Sequence, residues 1–385
     1  MLKSVHGPRH WLVVASAFLL AGAATAAASL HDAGTTQAQP GSRSTAASTS
    51  STRALSFGVD YSDTLPWEND AQLAASLDDA VDVGAHWIRV DLAWEDYQST
   101  SAAFAPDFSR FDRVVRAANA RGLHVLATLD FPPVWARESS CAALPDCPPA
   151  EDSQFAQFAR EAAERYAPMG VHTWEVWNEP NIPTWVPKPD PAAYAALLSA
   201  TARALHAADA SAFVLLGGLA AQQPHPGIAY IAAADFITQV AAHGGLSGVD
   251  AVSYHPYPNQ QPVAASSTIE AIDAIPDNLV AALARAGAGD LPIWVTETGT
   301  SVPESGKSRP DSATLARQQQ AQAQAAEQLV QAFSAIPAVS AVFWFSDQDT
   351  PSQNLFYGLR TAEGTRRPVF TALQQAIAAH EKGKD

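Results

Sequence analysis

From residue 55 onward the chain alternates between two hydrophobic periods. Short runs rich in β-branched and aromatic side chains, bounded by Gly, Pro, Asn or Asp, read as strands at 56–60, 86–91, 123–129, 172–177, 213–217, 249–254, 292–296 and 339–345. Between them, apolar residues recur at three- and four-residue spacing and predict helices near 70–84, 109–121, 151–166, 190–208, 229–243, 268–286, 311–335 and 367–381. Some ends are marked. Asp107 or Ser109 opens the second helix and Gly122 follows Arg121 where it should stop, while Asp190-Pro191 opens the fourth. Strands and helices alternating eight times predict an α/β protein, a (β/α)8 TIM barrel in a single domain over residues 55–385. The rival is an open doubly wound sheet. That fold carries a glycine-rich phosphate loop after its first strand, and Gly58-Val59-Asp60-Tyr61-Ser62 is not one.

The first 54 residues lack this alternation. Lys3 and Arg9 precede an apolar run at 11–20 that fades into alanines, with small residues at Ala26 and Ala28. This predicts a signal peptide at 1–28, cleaved before Ser29; an uncleaved anchor is the alternative. Residues 29–54, rich in Ser, Thr, Ala, Gln and Gly, read as a low-complexity linker. The expected location is secreted or periplasmic, with no stable membrane insertion after cleavage. Cys141 and Cys147 are the chain's two cysteines and lie close together in a proline-rich segment. In an exported protein such a pair is expected to form a loop-closing disulfide. A net charge of −16 argues against a nucleic-acid partner. No cluster of ligand residues points to a metal or other cofactor, and a monomer is the default.

In a TIM barrel the functional side chains come from the C-terminal ends of the strands. Here those ends supply Asp60 and Tyr61, Asp91 and Trp94, Asp130 and Trp135, Asn178 and Glu179, His255 and Tyr257, Glu297, then Trp344 and Asp347. Carboxylates and aromatics mixed in this way suit carbohydrate: rings stack on sugar faces, and carboxylates bind hydroxyls. Two glutamates stand out. Glu179 ends the run Trp174-Glu175-Val176-Trp177-Asn178, stopped by Pro180, and Glu297 ends Ile293-Trp294-Val295-Thr296. The fourth and seventh strands face each other across a barrel mouth. Glycoside hydrolysis needs two such carboxylates, about 5–5.5 Å apart for a nucleophile and retention, or about 6.5–9.5 Å for water and inversion.

Trp177-Asn178-Glu179-Pro180 and Thr296-Glu297 resemble the signature of the clan A glycoside hydrolases. Arg-Val-Asp-Leu-Ala-Trp at 89–94 and the strand-4 run look most like family 39 and related exopolysaccharide hydrolases. The resemblance implies a retaining barrel enzyme with Glu179 as acid/base and Glu297 as nucleophile. It places Arg89 near the nucleophile, Asn178 on the sugar's 2-hydroxyl, His255 and Tyr257 in the same subsite, and Trp344 beneath the sugar. Asp60, Trp94 and Trp135 are further supporting or substrate-binding candidates. The substrate expected is a poly- or oligosaccharide with β-linkages, cut internally in an exopolysaccharide or plant-type glycan. Exo action like that of a β-xylosidase is the alternative, and a non-catalytic carbohydrate-binding barrel is the reading from another class. Other residues have plainer readings. Glu175 is expected in the barrel core paired with Arg89, and His124 as a core residue. His225 could line the cleft, and Trp67 and Trp185 could be sugar platforms or loop packing.

Overall fold

A computed structural model describes residues 55–221, 229–257, 278–302 and 311–383. The expected signal peptide and linker, His225 and most of the helix expected at 268–286 lie outside the described residues. The eight strands are β1 (Ser56–Asp60), β2 (Trp87–Ala93), β3 (His124–Asp130), β4 (Thr173–Asn178), β5 (Phe213–Ala220), β6 (Ala251–His255), β7 (Ile293–Thr298) and β8 (Val339–Phe345). All neighbours pair in parallel, and β8 returns to β1, so the sheet closes in the order β1 to β8. Helices follow the strands around the outside, from Asp70–Val83 to Pro368–Lys382. The predicted TIM barrel is therefore the observed fold.

Local signals explain several helix ends. Asn69 and Gln72 form a reciprocal capping box at the start of Asp70–Val83. Asp190 accepts the amides of Ala192 and Ala193, with Pro191 in the first turn. Six of the strands extend beyond their expected C-terminal ends, by between one and three residues. The added residues include Ala93, Asp130, Asn178, His255 and Thr298. Polar strand ends look like loop in a one-dimensional pattern, whereas the parallel ladder carries them to the barrel mouth.

Period two divides each strand between two environments. Val59, Ile88, Val90, Ala127, Val176, Val252 and Val342 face the helices and form the main core. Leu126, Leu215, Ala251, Trp294, Ala341 and Phe343 fill the lower barrel, with Trp87 and Phe213 against them. Gly58 makes room there, since a Cβ would lie 2.3 Å from the Phe343 ring. Above this plug the interior turns polar. His124, expected in the core, is exposed at the opposite end of the barrel against Trp87.

Candidate active site

The polar layer is built on Arg89. Its guanidinium is buried and engages four partners: Nε donates to Glu175 at 2.7 Å, Nη1 to Glu297 at 2.8 Å and Asp60 at 3.2 Å, and Nη2 to Asn178 at 2.8 Å. Glu175 also accepts Thr296 Oγ1 at 3.2 Å and Thr128 Oγ1 at 3.4 Å, so it is a satisfied barrel-core carboxylate, as its strand position predicts. Removing one member of a buried pair of this kind strands the other, at about 3–5 kcal/mol. Asp60 is fully buried beside Arg89, its register partner on β1, and pairs with the guanidinium.

Glu179 and Glu297 meet above this layer. One oxygen of each, together with a ring nitrogen of His255, lies within 4.8 Å of the others. Glu297 is buried; Tyr257 donates to its Oε2 at 2.6 Å while Arg89 holds Oε1. Burial alone would push its pKa up, but the charges of His255 and Arg89 and the Tyr257 hydrogen bond outweigh that and hold it below the usual carboxylate value. Glu179 moves the other way. Burial pushes it up, and the Glu297 charge adds to the effect against the opposing pull of His255 and Arg89.

His255 joins the two. Its Nδ1 lies 3.0 Å from Glu179 Oε1 and 3.6 Å from Glu297 Oε1. Its Nε2 lies 3.0 Å from Thr296 Oγ1, whose hydroxyl donates to Glu175. A hydroxyl already donating must accept, so Nε2 carries a proton and Nδ1 faces Glu179. Burial pushes the ring's pKa down, yet the Glu297 charge and the Glu179 contact lift it above its ordinary value. His255 Nδ1 thus faces a Glu179 whose protonated form is favoured, beside a Glu297 whose ionised form is favoured.

Close backbone packing sets these positions. Trp177 and Glu179 have φ of 72° and 48°, in the left-handed region that non-glycine residues seldom adopt. A Cβ on Gly217 would lie 2.3 Å from the Trp177 carbonyl oxygen, and one on Gly218 would lie 1.9 Å from His255 Nε2. Asn181 staples the loop after Glu179 to β5, donating to the Ala220 and Ile231 carbonyls and accepting the Ala220 amide. Gly218→Ala should displace His255 and lower kcat/KM on the order of 10²-fold, as small misplacements in active sites do. Near-wild-type turnover in a folded Gly218→Ala variant would remove His255 from the machinery.

Three aromatic candidates sit elsewhere. Trp344 faces the helices, not the barrel axis: its ring packs near Leu329, Val330 and Leu373, and its Nε1 donates to the Tyr357 carbonyl. Period two puts Phe345 inward instead, where it lines the cavity above the glutamates. Trp94 is buried against Phe155 and Phe158 and donates to Gln98. Trp135 packs edge-on to Trp94 and donates to the Gln98 carbonyl. Trp185 is likewise buried, against Trp177 and Tyr194. Trp94, Trp185 and Trp344 are buried and present no face to the cavity, and Trp135 is half-buried. Phe345 was legible from the strand period counted from Phe343. Asn181, Gly217 and Gly218 carry no sequence signal for their roles, which arise from contacts between strands.

The cavity has a volume of about 230 Å³ and is lined by Arg89, Asn178, Glu179, Glu297 and Phe345 together with the loops after β1 and β8. Arg360 holds Asp347, and Arg367 holds Asp349, so the β8 loop is strapped in place. Glu179, His255 and Glu297 are also the cluster that could ligate a metal among the described residues. A cation there would have to compete with Arg89 and Tyr257 for Glu297. Cys141 and Cys147 form a disulfide in the loop after β3.

Residues 44–349 match the model of the cellulase family, glycosyl hydrolase family 5. The chain belongs to this family. It is therefore a glycoside hydrolase of clan A, and no curated protein matches it in sequence. Its fold is similar to several solved glycosidases. One is a family 39 glycoside hydrolase from the gut symbiont Bacteroides cellulosilyticus WH2, at 20% identity and TM-score 0.60, matching 85% of this chain. The match spans 64% of that relative's own length. Another is a monomeric β-xylosidase from Caulobacter crescentus CB15, at 19% identity and TM-score 0.63, matching 84% of this chain and 67% of that one. A third is a GH5_18 protein from Streptomyces cattleya in complex with GlcNAc, at 18% identity and TM-score 0.64, matching 86% of this chain and 81% of that one. The family 5 glycosidase and its family 39 neighbours share the barrel expected from the alternation of strands and helices.

Proposed function

We propose that this family 5 glycosidase cleaves β-glycosidic bonds by double displacement with retention. The supporting observation is the pair of close carboxylates whose surroundings drive their pKa values apart. An oxygen of Glu179 and one of Glu297 lie within 4.8 Å of each other, which supports the shorter carboxyl spacing of about 5–5.5 Å that goes with a nucleophile and retention. Glu297, ionised and oriented by Arg89 and Tyr257, attacks the anomeric carbon. Glu179 delivers its proton to the leaving oxygen, then takes one from the water that releases the sugar from Glu297. Asn178, fixed by Arg89, holds the sugar's 2-hydroxyl.

The pH profile follows from these directions. Activity falls on the acid side as Glu297 protonates, below the ordinary carboxylate pKa. It falls on the alkaline side as Glu179 loses its proton, above that value. Tyr257→Phe removes a hydrogen bond that favours ionised Glu297. The acid limb of kcat/KM is expected to move to higher pH, with a loss of about 10–100-fold at the optimum. An unmoved acid limb would show that this limb does not report Glu297.

The enzyme is proposed to act outside the cytoplasm, a reading supported by the charged and apolar N-terminal pattern and the Cys141–Cys147 disulfide, and a monomer is proposed as its default state. Endo action on an exopolysaccharide or plant-type glycan is the first reading of specificity. Exo action has its own support in the bounded cavity and in the inward packing of Trp94, Trp135 and Trp185. Product profiling on β-glucans, xylans, mannans and bacterial exopolysaccharides separates the two. Early oligosaccharides of several lengths mean endo action; release of one short product from the start means exo action.

A further inference from the structure

The cavity carries more carboxyl groups than the hydrolytic reaction uses. Asp63, Asp91 and Asp347 line it beside Glu179 and Glu297, and Arg89 is the one cationic side chain in its wall among the described residues. Most of these carboxylates have partners. Glu297 has Arg89 and Tyr257, Glu179 has His255, and Asp347 has Arg360. Asp91 differs. It is only 5% exposed, and its Oδ1 is buried with no hydrogen-bond partner. The nitrogens of Arg89 go to Glu175, Asp60, Glu297 and Asn178, leaving Asp91 with none.

A buried carboxylate without a donor is costly, and an unsatisfied one on a cavity wall is a place for a ligand group. A sugar hydroxyl would supply one neutral donor. An ammonium supplies three donors and the positive charge that this wall lacks. An N-acetyl group supplies one N–H and no charge. Resting on the glycosidase reading, we propose that the glycone site is specific for an amino sugar with a free, protonated amine, a hexosamine lacking its N-acetyl group, held by Asp91 with Asp63 beside it. The groups facing Asp91 fit. Burial pushes its pKa well up, and Asp60, Asp63 and Glu297 add to this against the pull of Arg89. An arriving ammonium favours the ionised form, so binding should release protons to the solvent.

The test is calorimetric titration of the whole protein with glucosamine, galactosamine and mannosamine, each against its neutral parent and its N-acetyl derivative. At least one amine is expected to bind at least about tenfold tighter than both counterparts. The heat should vary with buffer ionisation enthalpy in the direction of proton release. Asp91→Asn should bring that ratio close to one, and Asp63→Asn should reduce it partly. Melting curves of both variants confirm folding, which Asp91→Asn should leave intact because the buried Oδ1 has no hydrogen bond to lose. Equal binding of amine and parent, no amine binding over the range tested for the parent, or a preference undiminished in folded Asp91→Asn would each overturn the inference. The glycosidase reading fails separately, through absence of turnover on aryl glycosides and polysaccharides, because equilibrium binding of an amine requires no turnover.

Discussion

Glu297→Gln is expected to lower turnover of every glycoside substrate on the order of 10⁴–10⁶-fold, the scale seen when an enzyme loses its nucleophile. The glutamine keeps the shape of the side chain and loses its charge. Its carbonyl can accept from Arg89 or from Tyr257, but its amide then faces the other donor, so one of two hydrogen bonds is lost. Arg89 keeps Glu175 and Asp60, and the barrel should stay folded. The variant therefore separates chemistry from stability. The decisive measurement is single-turnover trapping with an activated 2-fluoro glycoside, followed by mass spectrometry. Wild type should gain one glycosyl group on Glu297, and Glu297→Gln should gain none. Labelling elsewhere, or turnover in the variant within tenfold of wild type, would remove Glu297 from the nucleophile role.

Glu179→Ala has the second largest expected effect, and its size should depend on the leaving group. Natural glycosides need a proton on the departing oxygen, so their cleavage should drop on the order of 10³-fold or more. An aryl glycoside with a good leaving group needs less help in the first step and then accumulates as the glycosyl-enzyme. The methyl side chain opens space beside His255 Nδ1, where a small anion can enter. Azide should raise the rate and yield a glycosyl azide of retained configuration, because the second displacement also occurs at the anomeric carbon. The alkaline limb of the pH profile should vanish with the group that produces it. Wild-type activity in Glu179→Ala, or an azide product of inverted configuration, would sink both assigned roles.

The two experiments test different parts of one electrostatic arrangement. Arg89 and Tyr257 favour the ionised form of Glu297, while burial and the Glu297 charge disfavour ionisation of Glu179. Each carboxylate therefore helps set the other's state, so single variants should not be additive.

Much of this was legible in one dimension. Strand and helix periods predict eight alternating pairs, and β1 and β8 start and end where the apolar runs do. Glu179 and Glu297 stand at strand ends because their flanking runs are short, branched and interrupted, by Pro180 after the first and Gly299 after the second. Arg89 and Glu175 could be paired because period two puts both on inward faces of neighbouring parts of the barrel. Aromatic residues were harder to place. Trp344 and Phe345 are adjacent, and a one-residue difference in register decides which lines the cavity. Trp94 and Trp135 fall at the right strand ends, yet loop geometry turns them onto Phe155, Phe158 and each other.

The sequence by itself determined the barrel, its strand order and the two facing glutamates, because these depend on periodicity and on which residues end a strand. Tertiary structure decided what each site side chain touches. It alone put Gly218 under His255, Thr296 between His255 and Glu175, and Asp91 on a cavity wall with no donor. Those are contacts between strands distant in the chain, set by barrel register and close backbone approach, and no local pattern of residues encodes them.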